Sequence, residues 1–331
     1  QKENINCLSF IDSHGNLIHN PITYCDNLDS LPFPGYEHFI NYEKFDKNAF
    51  KSIMYSRGCP FDCNYCASHK IWTRKTRTHS PSYIVGMIKH IHHKFGTTYF
   101  RFDDDTFTLK PGPVREICEL LKQEKLPIKW CCDTRVECVT PELLLEMKEV
   151  GLDFISMGVE SGDPDMRKKI RKNSSLEVTK KAFRIAADTG IFTNAYFMIG
   201  FPGETFEQAS RTLDFIEDLN PNYPCISVCI PYPGTDCYEI AIEMGIIKQG
   251  EDSDWFRYYH HSNVNFSGRI NEKEWDALLK RCERIEQKAM QRIEQERLKK
   301  ITIKEMISRY TGNPSLIFSD FKRIYRWVQK K

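Results

Sequence analysis

The sequence has no apolar run long enough to cross a membrane. Its longest such stretches, for example residues 191–199, fall well short of the roughly 20 residues that a bilayer requires. It also lacks a cationic start followed by an apolar run and a small-residue cleavage site, which is the pattern of a secretory signal. We therefore expect a cytoplasmic protein with no membrane span. Because the sequence does not begin with methionine, we expect the natural chain to start further upstream.

Repeats of fixed period and low-complexity tracts are also missing, which excludes solenoid and collagen-like proteins. The 331 residues are 40% hydrophobic and 28% charged, a composition typical of globular proteins. Net charge is only +2, but residues 281–331 hold 14 lysines and arginines against 6 acidic residues. Charge therefore does not identify a partner of the main body. We do not expect nucleic acid as a partner, although the basic tail leaves that interaction open.

Between residues 51 and 245, short β-branched or aromatic runs alternate with longer segments of helical spacing. The runs predict strands at 53–56, 99–103, 128–134, 154–159, 193–199 and 225–230. The segments predict helices near 81–95, 112–124, 141–150, 176–189, 205–219 and 235–245. Six βα units with short connections require parallel strands and right-handed crossovers. The pattern thus predicts an α/β fold, either a doubly wound open sheet or a closed or partial barrel.

The flanking segments differ from this central unit in composition. We divide the chain into an amino-terminal linker (1–50), the βα unit (51–245) and a mostly helical extension (246–331). A hairpin is predicted around Gly15, and charged helices are predicted at 272–300 and 314–331. The tyrosines and histidines at 258–261 either cover the mouth of the βα unit as a lid or simply pack against it.

The 13 cysteines are unevenly distributed and no secretory signal is present, which favours a reducing compartment over a disulfide framework. Cys59, Cys63 and Cys66 follow the first strand in a CxxxCxxC spacing. Iron–sulfur clusters and structural zinc usually take four protein ligands. Three clustered thiols predict a metal centre with one position open, for which His69 is the nearest further protein ligand. The other ten cysteines are predicted to be core residues. A core position is a poor interpretation for Cys59, Cys63 and Cys66, because glycine and proline flank them.

This loop, after the first of six strands, resembles the signature of the radical S-adenosylmethionine (SAM) superfamily. The resemblance covers residues 51–245 and implies a partial (βα)6 TIM-like barrel. It implies that Cys59, Cys63 and Cys66 hold a [4Fe-4S] cluster whose fourth iron is chelated by SAM. One electron from the cluster would then cleave SAM to methionine and a 5′-deoxyadenosyl radical, which abstracts a substrate hydrogen. In this family Tyr65 would pack beside the cluster and the adenine.

Polar residues at the ends of the second, third and fourth strands are candidates for SAM contacts. Asp104 or Asp105 stands where the superfamily usually has a Gly-Gly-Glu contact to the SAM amino group, but an N-cap or a solvated turn is an equal alternative. Arg135 either clamps a carboxylate or forms a surface ion pair. Glu160 and Ser161 resemble the ribose-binding motif of the family.

Three further positions are candidates with weaker patterns. Lys172 either reaches the SAM carboxylate or is a solvated helix residue. Ile199 lies in a strand that only loosely follows the family's GxIxGxxE pattern and is expected to support the adenine. Tyr232 lies in a tight turn whose backbone could meet the adenine edge, although proline and glycine there could reflect turn chemistry alone.

The segments at 28–34, 56–60, 104–107 and 231–235 are most similar to the cobalamin-associated branch of the superfamily. That branch includes methyltransferases and the anaerobic cyclase of chlorophyll synthesis, so cobalamin is a candidate third cofactor, with C- or P-methylation or ring formation as the reaction. Only about 50 residues precede the βα unit, too few for a cobalamin domain, and the DxHxxG signature is absent. Reduced flavodoxin or ferredoxin is the expected electron donor.

Two alternatives remain at this point. A methylthiotransferase-like enzyme would need further cysteines for a second cluster and an RNA-binding β-domain, which the helical tail disfavours. A non-catalytic iron–sulfur or zinc scaffold could instead bind RNA or an acidic partner through its basic tail. Cleavage of SAM under anaerobic conditions distinguishes the two classes.

Overall fold

The computed structural model describes residues 2–248 and 263–300. Within them the strands are β1 (Ser9–Ile11), β2 (Leu17–His19), β3 (Ser52–Ile53), β4 (Ser56–Arg57), β5 (Arg77–Thr78), β6 (Tyr99–Phe102), β7 (Lys129–Arg135), β8 (Leu152–Glu160), β9 (Phe192–Ile199) and β10 (Tyr223–Val228). The helices are α1 (Ser68–Trp72), α2 (Pro81–Phe95), α3 (Pro111–Glu124), α4 (Pro141–Glu149), α5 (Pro164–Lys169), α6 (Leu176–Thr189), α7 (Phe206–Leu219), α8 (Asp236–Glu243) and α9 (Glu272–Lys300). The predicted lid at 258–261 and the predicted helix at 314–331 lie outside the described residues. No described helix is both long and apolar enough to span a bilayer.

Six strands form one parallel sheet in the order β3-β6-β7-β8-β9-β10. Helices lie between successive strands, so the α/β fold with six βα units that the sequence predicts is confirmed. In the described part of the chain β3 and β10 each pair on one side only, which is the arrangement of a partial barrel. The predicted hairpin around Gly15 is also present, formed by β1 and β2.

The predicted first strand, 53–56, is divided in two. Its first part is β3, which pairs with β6, whereas its last residue opens β4, which pairs antiparallel with β5. The reason is a buried carboxylate: Asp104 accepts hydrogen bonds from the backbone N–H groups of Tyr55 and Ser56. Those groups are therefore bonded to a side chain instead of a neighbouring strand, and the chain leaves the main sheet.

The main core lies between the sheet and the helices. Alternate residues of each strand belong to it, for example Phe100 and Phe102 of β6 and Trp130 of β7. Helix α4 begins at a capping residue: the Thr140 side chain accepts from the N–H of Leu143 at 3.3 Å. Burial of one strand face against amphipathic helices thus fixes which strand residues face away from the core.

The long helix α9, predicted at 272–300, covers the outer edge of β10. Trp275 and Leu278 enter the main core, and Glu286 Oε1 accepts a hydrogen bond from the N–H of Ile226 at 3.0 Å. Arg281 bridges to Asp214 of α7 at 2.6 Å. Through Glu286, the helix therefore supplies an acceptor for a backbone N–H of the edge strand β10 that would otherwise be unpaired.

We predict that Gly162→Ala destabilises the fold by about 1–3 kcal/mol, because a Cβ at Gly162 would lie 2.4 Å from Phe215 Cβ and 3.0 Å from the Arg211 carbonyl oxygen. Denaturant unfolding measures the change. The matched control is Gly112→Ala in α3, where nothing lies within 4 Å of the added Cβ. That variant should be neutral or more stable by up to about 1 kcal/mol. Equal stabilities for the two variants would contradict the packing described here.

Candidate metal centre

The three clustered cysteines lie on a loop that leaves β4 at the carboxyl edge of the sheet. The loop begins at Gly58, whose φ is +99° and whose Cβ, if present, would lie 2.5 Å from the Lys75 carbonyl oxygen. Only glycine fits this position without displacing backbone. The loop then runs through Cys59 and Cys63 to Cys66, and α1 follows directly. A tight glycine turn thus directs the three thiols to the edge where the other strands end.

Arg135, at the end of β7, holds the loop from the sheet side. Its guanidinium lies 3.8 Å from the centre of the Phe61 ring, and Nη1 donates to Cys63 Sγ at 3.2 Å. Its Nε donates to Glu137 Oε1 at 2.6 Å, so its charge is matched within the fold. The structure therefore brings Arg135 to the loop, where it contacts both the Cys63 thiol and the exposed carboxylate of Glu137.

Asn64 anchors the loop from the opposite side. Its N–H donates to the Ile170 carbonyl at 3.3 Å, and its Nδ2 donates to the Lys169 carbonyl at 3.2 Å. Its own carbonyl accepts from the N–H of Cys237, at the start of α8, at 3.0 Å. The residue between Cys63 and Tyr65 is thus tied to two separate helices, which fixes the loop between the fourth and sixth βα units.

The thiols are partly or fully buried. Burial, together with the nearby Asp105 carboxylate, raises the pKa of Cys59 and raises that of Cys66 to about 11. As free thiols, Cys59 and Cys66 are protonated at neutral pH, so metal binding at these two residues must release protons. The donor set suits a metal centre that binds thiolates.

The arrangement of the thiols bears on the kind of centre. Among residues 2–248 and 263–300, no three histidine, cysteine or acidic side chains gather closely enough to ligate a single ion. A mononuclear zinc site would hold its sulfurs about 2.3 Å from one ion. A cluster with several irons instead accepts thiolates at separate atoms. Three thiolates on one loop suit an iron–sulfur cluster, in which each thiolate binds a separate iron.

The predicted acidic candidates at the end of β6 have different surroundings. Asp104 is 2% exposed and accepts from the Tyr55 N–H at 3.0 Å and from both the N–H and the hydroxyl of Ser56. Its oxygens are thus occupied in shaping the chain before the loop. Asp105 is exposed, accepts from the Ser68 hydroxyl at 2.5 Å, and remains open to a ligand beside the loop.

Glu160 and Lys172, predicted as separate contacts, form a buried pair. Lys172 Nζ lies 3.5 Å from Glu160 Oε1, and the residues are 3% and 8% exposed. Gly158 makes room for this pair, because a Cβ there would lie 2.5 Å from Glu160 Oε1. Tyr65 adjoins the pair, and burial together with the Glu160 carboxylate raises its pKa. The structure therefore brings Tyr65, Glu160 and Lys172 together beside the cysteine loop.

Three other predicted residues are placed differently. Ser161 is fully buried, and its hydroxyl lies 3.0 Å from that of Thr212 in α7, so it stabilises the turn instead of facing the loop. Ile199 points into the helix-side core, whereas its neighbour Met198 packs near Tyr65. A cofactor contact through the Ser161 or Ile199 side chain is therefore not supported by the structure.

Tyr232 lies in the turn between β10 and α8. Its carbonyl accepts from the N–H of Thr235 at 3.1 Å and from the Thr235 hydroxyl at 2.6 Å. Its side chain is 39% exposed. The turn leads into α8, where the N–H of Cys237 donates to the carbonyl of Asn64 in the cysteine loop. A contact between this turn and the adenine stays a prediction.

Sequence reasoning missed Arg167. This buried residue of α5 donates to the carbonyls of Val159 at 2.6 Å and Ser161 at 3.0 Å, one on each side of Glu160. Glu160 has a φ of +71°, a conformation that needs such support. The signal in the sequence, an arginine in a short basic helix, also fits a solvated surface, so the role of Arg167 needed the structure.

A cavity of about 280 Å³ lies behind the loop, between α5, α8 and the turn after β9. Its wall includes Asn64, Ile170, Phe201 and Cys237. Ile170, Phe201 and Cys237 of this wall belong to an apolar cluster that also contains Cys229, and Tyr65 packs against that cluster. The back of the loop thus faces a small, mostly apolar space.

A parallel partial barrel with three thiols pinned at its carboxyl edge defines a class of iron–sulfur proteins built on βα units. The profile described as the radical SAM superfamily matches residues 53–216. The chain belongs to the radical SAM superfamily.

Curated relatives resemble much of the chain. An uncharacterized methyltransferase of Pyrococcus horikoshii is 32% identical over 239 residues, which are 72% of this chain and 51% of that protein. The anaerobic magnesium-protoporphyrin IX monomethyl ester cyclase of Rubrivivax gelatinosus is 29% identical over 187 residues, which are 56% of this chain and 34% of that protein. The chain thus spans from a third to half of the length of these relatives.

Solved structures share the fold. TsrM of Kitasatospora setae, a radical SAM methyltransferase, superposes with a TM-score of 0.62 at 15% identity, covering 74% of this chain and 50% of TsrM. OxsB, a cobalamin-dependent radical SAM enzyme, gives a TM-score of 0.57 at 18% identity, covering 87% of this chain and 42% of OxsB. At these identities the likeness is one of fold.

We predict that Asp104→Asn changes how stability depends on pH. Burial raises the pKa of Asp104 to about 7, from 3.8, despite its hydrogen bonds. Because the pKa of Asp104 is higher in the folded than in the unfolded state, the folded protein holds the Asp104 proton more tightly. The stabilisation from this proton is complete below pH 3.8 and is lost as pH rises to about 7. Relative to Asp104→Asn, the wild-type free energy of unfolding should therefore fall over that interval. Parallel pH profiles of urea unfolding for both proteins would contradict this.

Proposed function

We propose that this protein is a radical SAM enzyme in which Cys59, Cys63 and Cys66 bind a [4Fe-4S] cluster. The observation that carries the proposal is the loop itself: three thiols at the carboxyl edge of a partial barrel, with Arg135 contacting Cys63 Sγ at 3.2 Å. Active sites of βα barrels lie at this edge. Three ligands on one loop leave one iron for the amino and carboxylate groups of SAM.

The surrounding residues suit a SAM molecule bound beside that cluster. Glu160 can accept hydrogen bonds from ribose hydroxyls, and Lys172, 3.5 Å away, can attract the SAM carboxylate. Tyr65 adjoins both the loop and Glu160 and can pack against the adenine. When bound, the cluster supplies the electron that splits SAM into methionine and a 5′-deoxyadenosyl radical. The protein's own part is to orient SAM and exclude water.

The overall reaction is proposed from the relatives. Several of them are methyltransferases, and three are anaerobic magnesium-protoporphyrin IX monomethyl ester cyclases. We infer cobalamin-dependent methylation of carbon or phosphorus, or ring formation, with cobalamin as a third cofactor. Residues 2–50, the predicted linker, are largely exposed, so a cobalamin site would need further protein surface. We place the enzyme in the cytoplasm with reduced flavodoxin or ferredoxin as its donor, and we retain 51–245 as the catalytic unit.

We predict that anaerobically reconstituted protein holds about four iron and four sulfide ions per chain. Replacing Cys59, Cys63 or Cys66 by alanine should abolish this cluster, because each thiolate is one of only three protein ligands. Iron analysis and visible absorption measure it. Cys7→Ala is the matched control, since Cys7 is an exposed cysteine far along the chain from the loop. If all three loop variants keep the absorption of a cluster, the assignment of these ligands is wrong.

We predict that Glu160→Ala weakens SAM binding by about tenfold or more. A carboxylate bonded to ribose hydroxyls contributes about 1.5–3 kcal/mol for each charge-assisted hydrogen bond. Equilibrium dialysis with the reconstituted protein gives the dissociation constant, and iron content checks that the cluster remains. Glu177→Ala, an exposed residue at the start of α6, serves as the control. An unchanged dissociation constant for Glu160→Ala would remove this residue from the SAM site.

A further inference from the structure

The face of the parallel sheet opposite the helix-side core, here called the concave face, is polar. On β6 the core residue is Phe102, and because side chains alternate, its neighbour Arg101 points to the concave face. The same alternation directs Asp133, Ser156 and Asn194 there, because the residues next to them along β7, β8 and β9 join the core. The interior of the barrel is therefore lined by groups that can bind a polar molecule.

Strand register places three of these residues in one row. Asp133 of β7 is the partner of Ser156 of β8, and Ser156 is the partner of Asn194 of β9. Asn194 Nδ2 donates to Ser156 Oγ at 3.5 Å. Arg135, which contacts the cysteine loop, stands two residues beyond Asp133 on β7. At about 3.3 Å per residue, the row lies about 7 Å from Arg135 along the strand, on the side away from the cysteine loop.

Arg101 joins this row to a second carboxylate. Its Nη2 donates to Asp133 Oδ2 at 2.8 Å, and its Nε donates to Asp103 Oδ1 at 2.5 Å. The hydroxyl of Tyr196, on β9, also lies beside this guanidinium. One cation faces two carboxylates, so the network carries an excess of one negative charge.

The charged pairs at the carboxyl edge of the sheet do not offset the excess negative charge of the Arg101 network. Arg135 is matched by Glu137 at 2.6 Å, and Lys172 is paired with Glu160 at 3.5 Å. Each pair is neutral as a unit, so both leave the charge of the Arg101 network unchanged.

Asn194 adds an unsatisfied acceptor to this negatively charged row. The residue is 6% exposed, and its Oδ1 is buried without a hydrogen-bond partner. A buried acceptor without a donor is costly unless a ligand supplies one. The row thus combines excess negative charge with a vacant acceptor on the same face of the barrel.

We propose that Asp133, Ser156 and Asn194, with the Arg101–Asp103 pair beside them, form a subsite for a substrate ammonium group. This inference rests on the proposed function, because it assigns the barrel interior to the substrate. An ammonium supplies both a positive charge and three N–H donors. From this subsite, the reacting part of the substrate then extends about 7 Å, or two residues along the strand, toward the cysteine loop.

Small isosteric probes test this subsite without knowledge of the substrate. The probes are n-pentylammonium, n-pentanol and n-pentanoate, titrated anaerobically into the full, reconstituted chain at low salt and followed by ligand-observed NMR. Only pentylammonium should bind appreciably. Asp133→Asn should weaken its binding by about tenfold, because it removes a charge-assisted hydrogen bond. Asn194→Leu, which removes the vacant acceptor but keeps the volume, should weaken it by about fivefold.

Asp165→Asn, an equal change of charge on the exposed side of α5, is the matched control and should leave the binding unchanged. Preferred binding of pentanoate would overturn the proposal in favour of Arg101 as an anion anchor. Absence of pentylammonium binding would also overturn it. So would a pentylammonium affinity that is the same in Asp133→Asn and Asn194→Leu as in the wild type. The assay needs neither SAM nor electron transfer. Failure to cleave SAM would therefore count against the proposed function and leave this result intact.

Discussion

Every strand of the parallel sheet buries one face against helices, and this constraint determines what its other face can do. The core residues of β6 to β9 are aromatic or aliphatic, apart from Cys132, and occupy alternate positions. The positions between them are free of that packing demand and carry arginine, aspartate, serine and asparagine. Because parallel strands end at one edge, the last residues of β7 and β8, Arg135 and Glu160, lie beside the cysteine loop.

The cysteine loop is held in place by residues other than the three cysteines. Asp104 fixes the two residues where the chain leaves the main sheet, and Gly58 makes the turn that follows. Arg135 and Asn64 then hold the two sides of the loop against β7 and the helices. These contacts fix the backbone of the segment that carries the three thiols, and preorganisation of this kind lowers the cost of binding a metal.

Much of this was readable in the sequence, because alternating apolar runs and capping residues are local signals. The six strands and their helices, including α9, follow from those signals, and the CxxxCxxC spacing identifies the loop. Pairing across the chain was not readable: Glu160 with Lys172, and Ser161 turned toward Thr212, depend on which side chains face each other after folding. The sequence predicts Asp104 or Asp105 as a contact to the SAM amino group, because the burial that makes Asp104 a backbone acceptor has no signature in a run of three aspartates.

The central claim is that three cysteines leave one iron of the cluster open to SAM. Electron paramagnetic resonance of the anaerobically reconstituted and reduced protein tests it most directly, since the spectrum reports the ligands of the cluster. The account predicts the signal of a reduced four-iron cluster whose g values shift when SAM is added. A spectrum that stays unchanged at saturating SAM, from protein that retains its iron, would contradict the account.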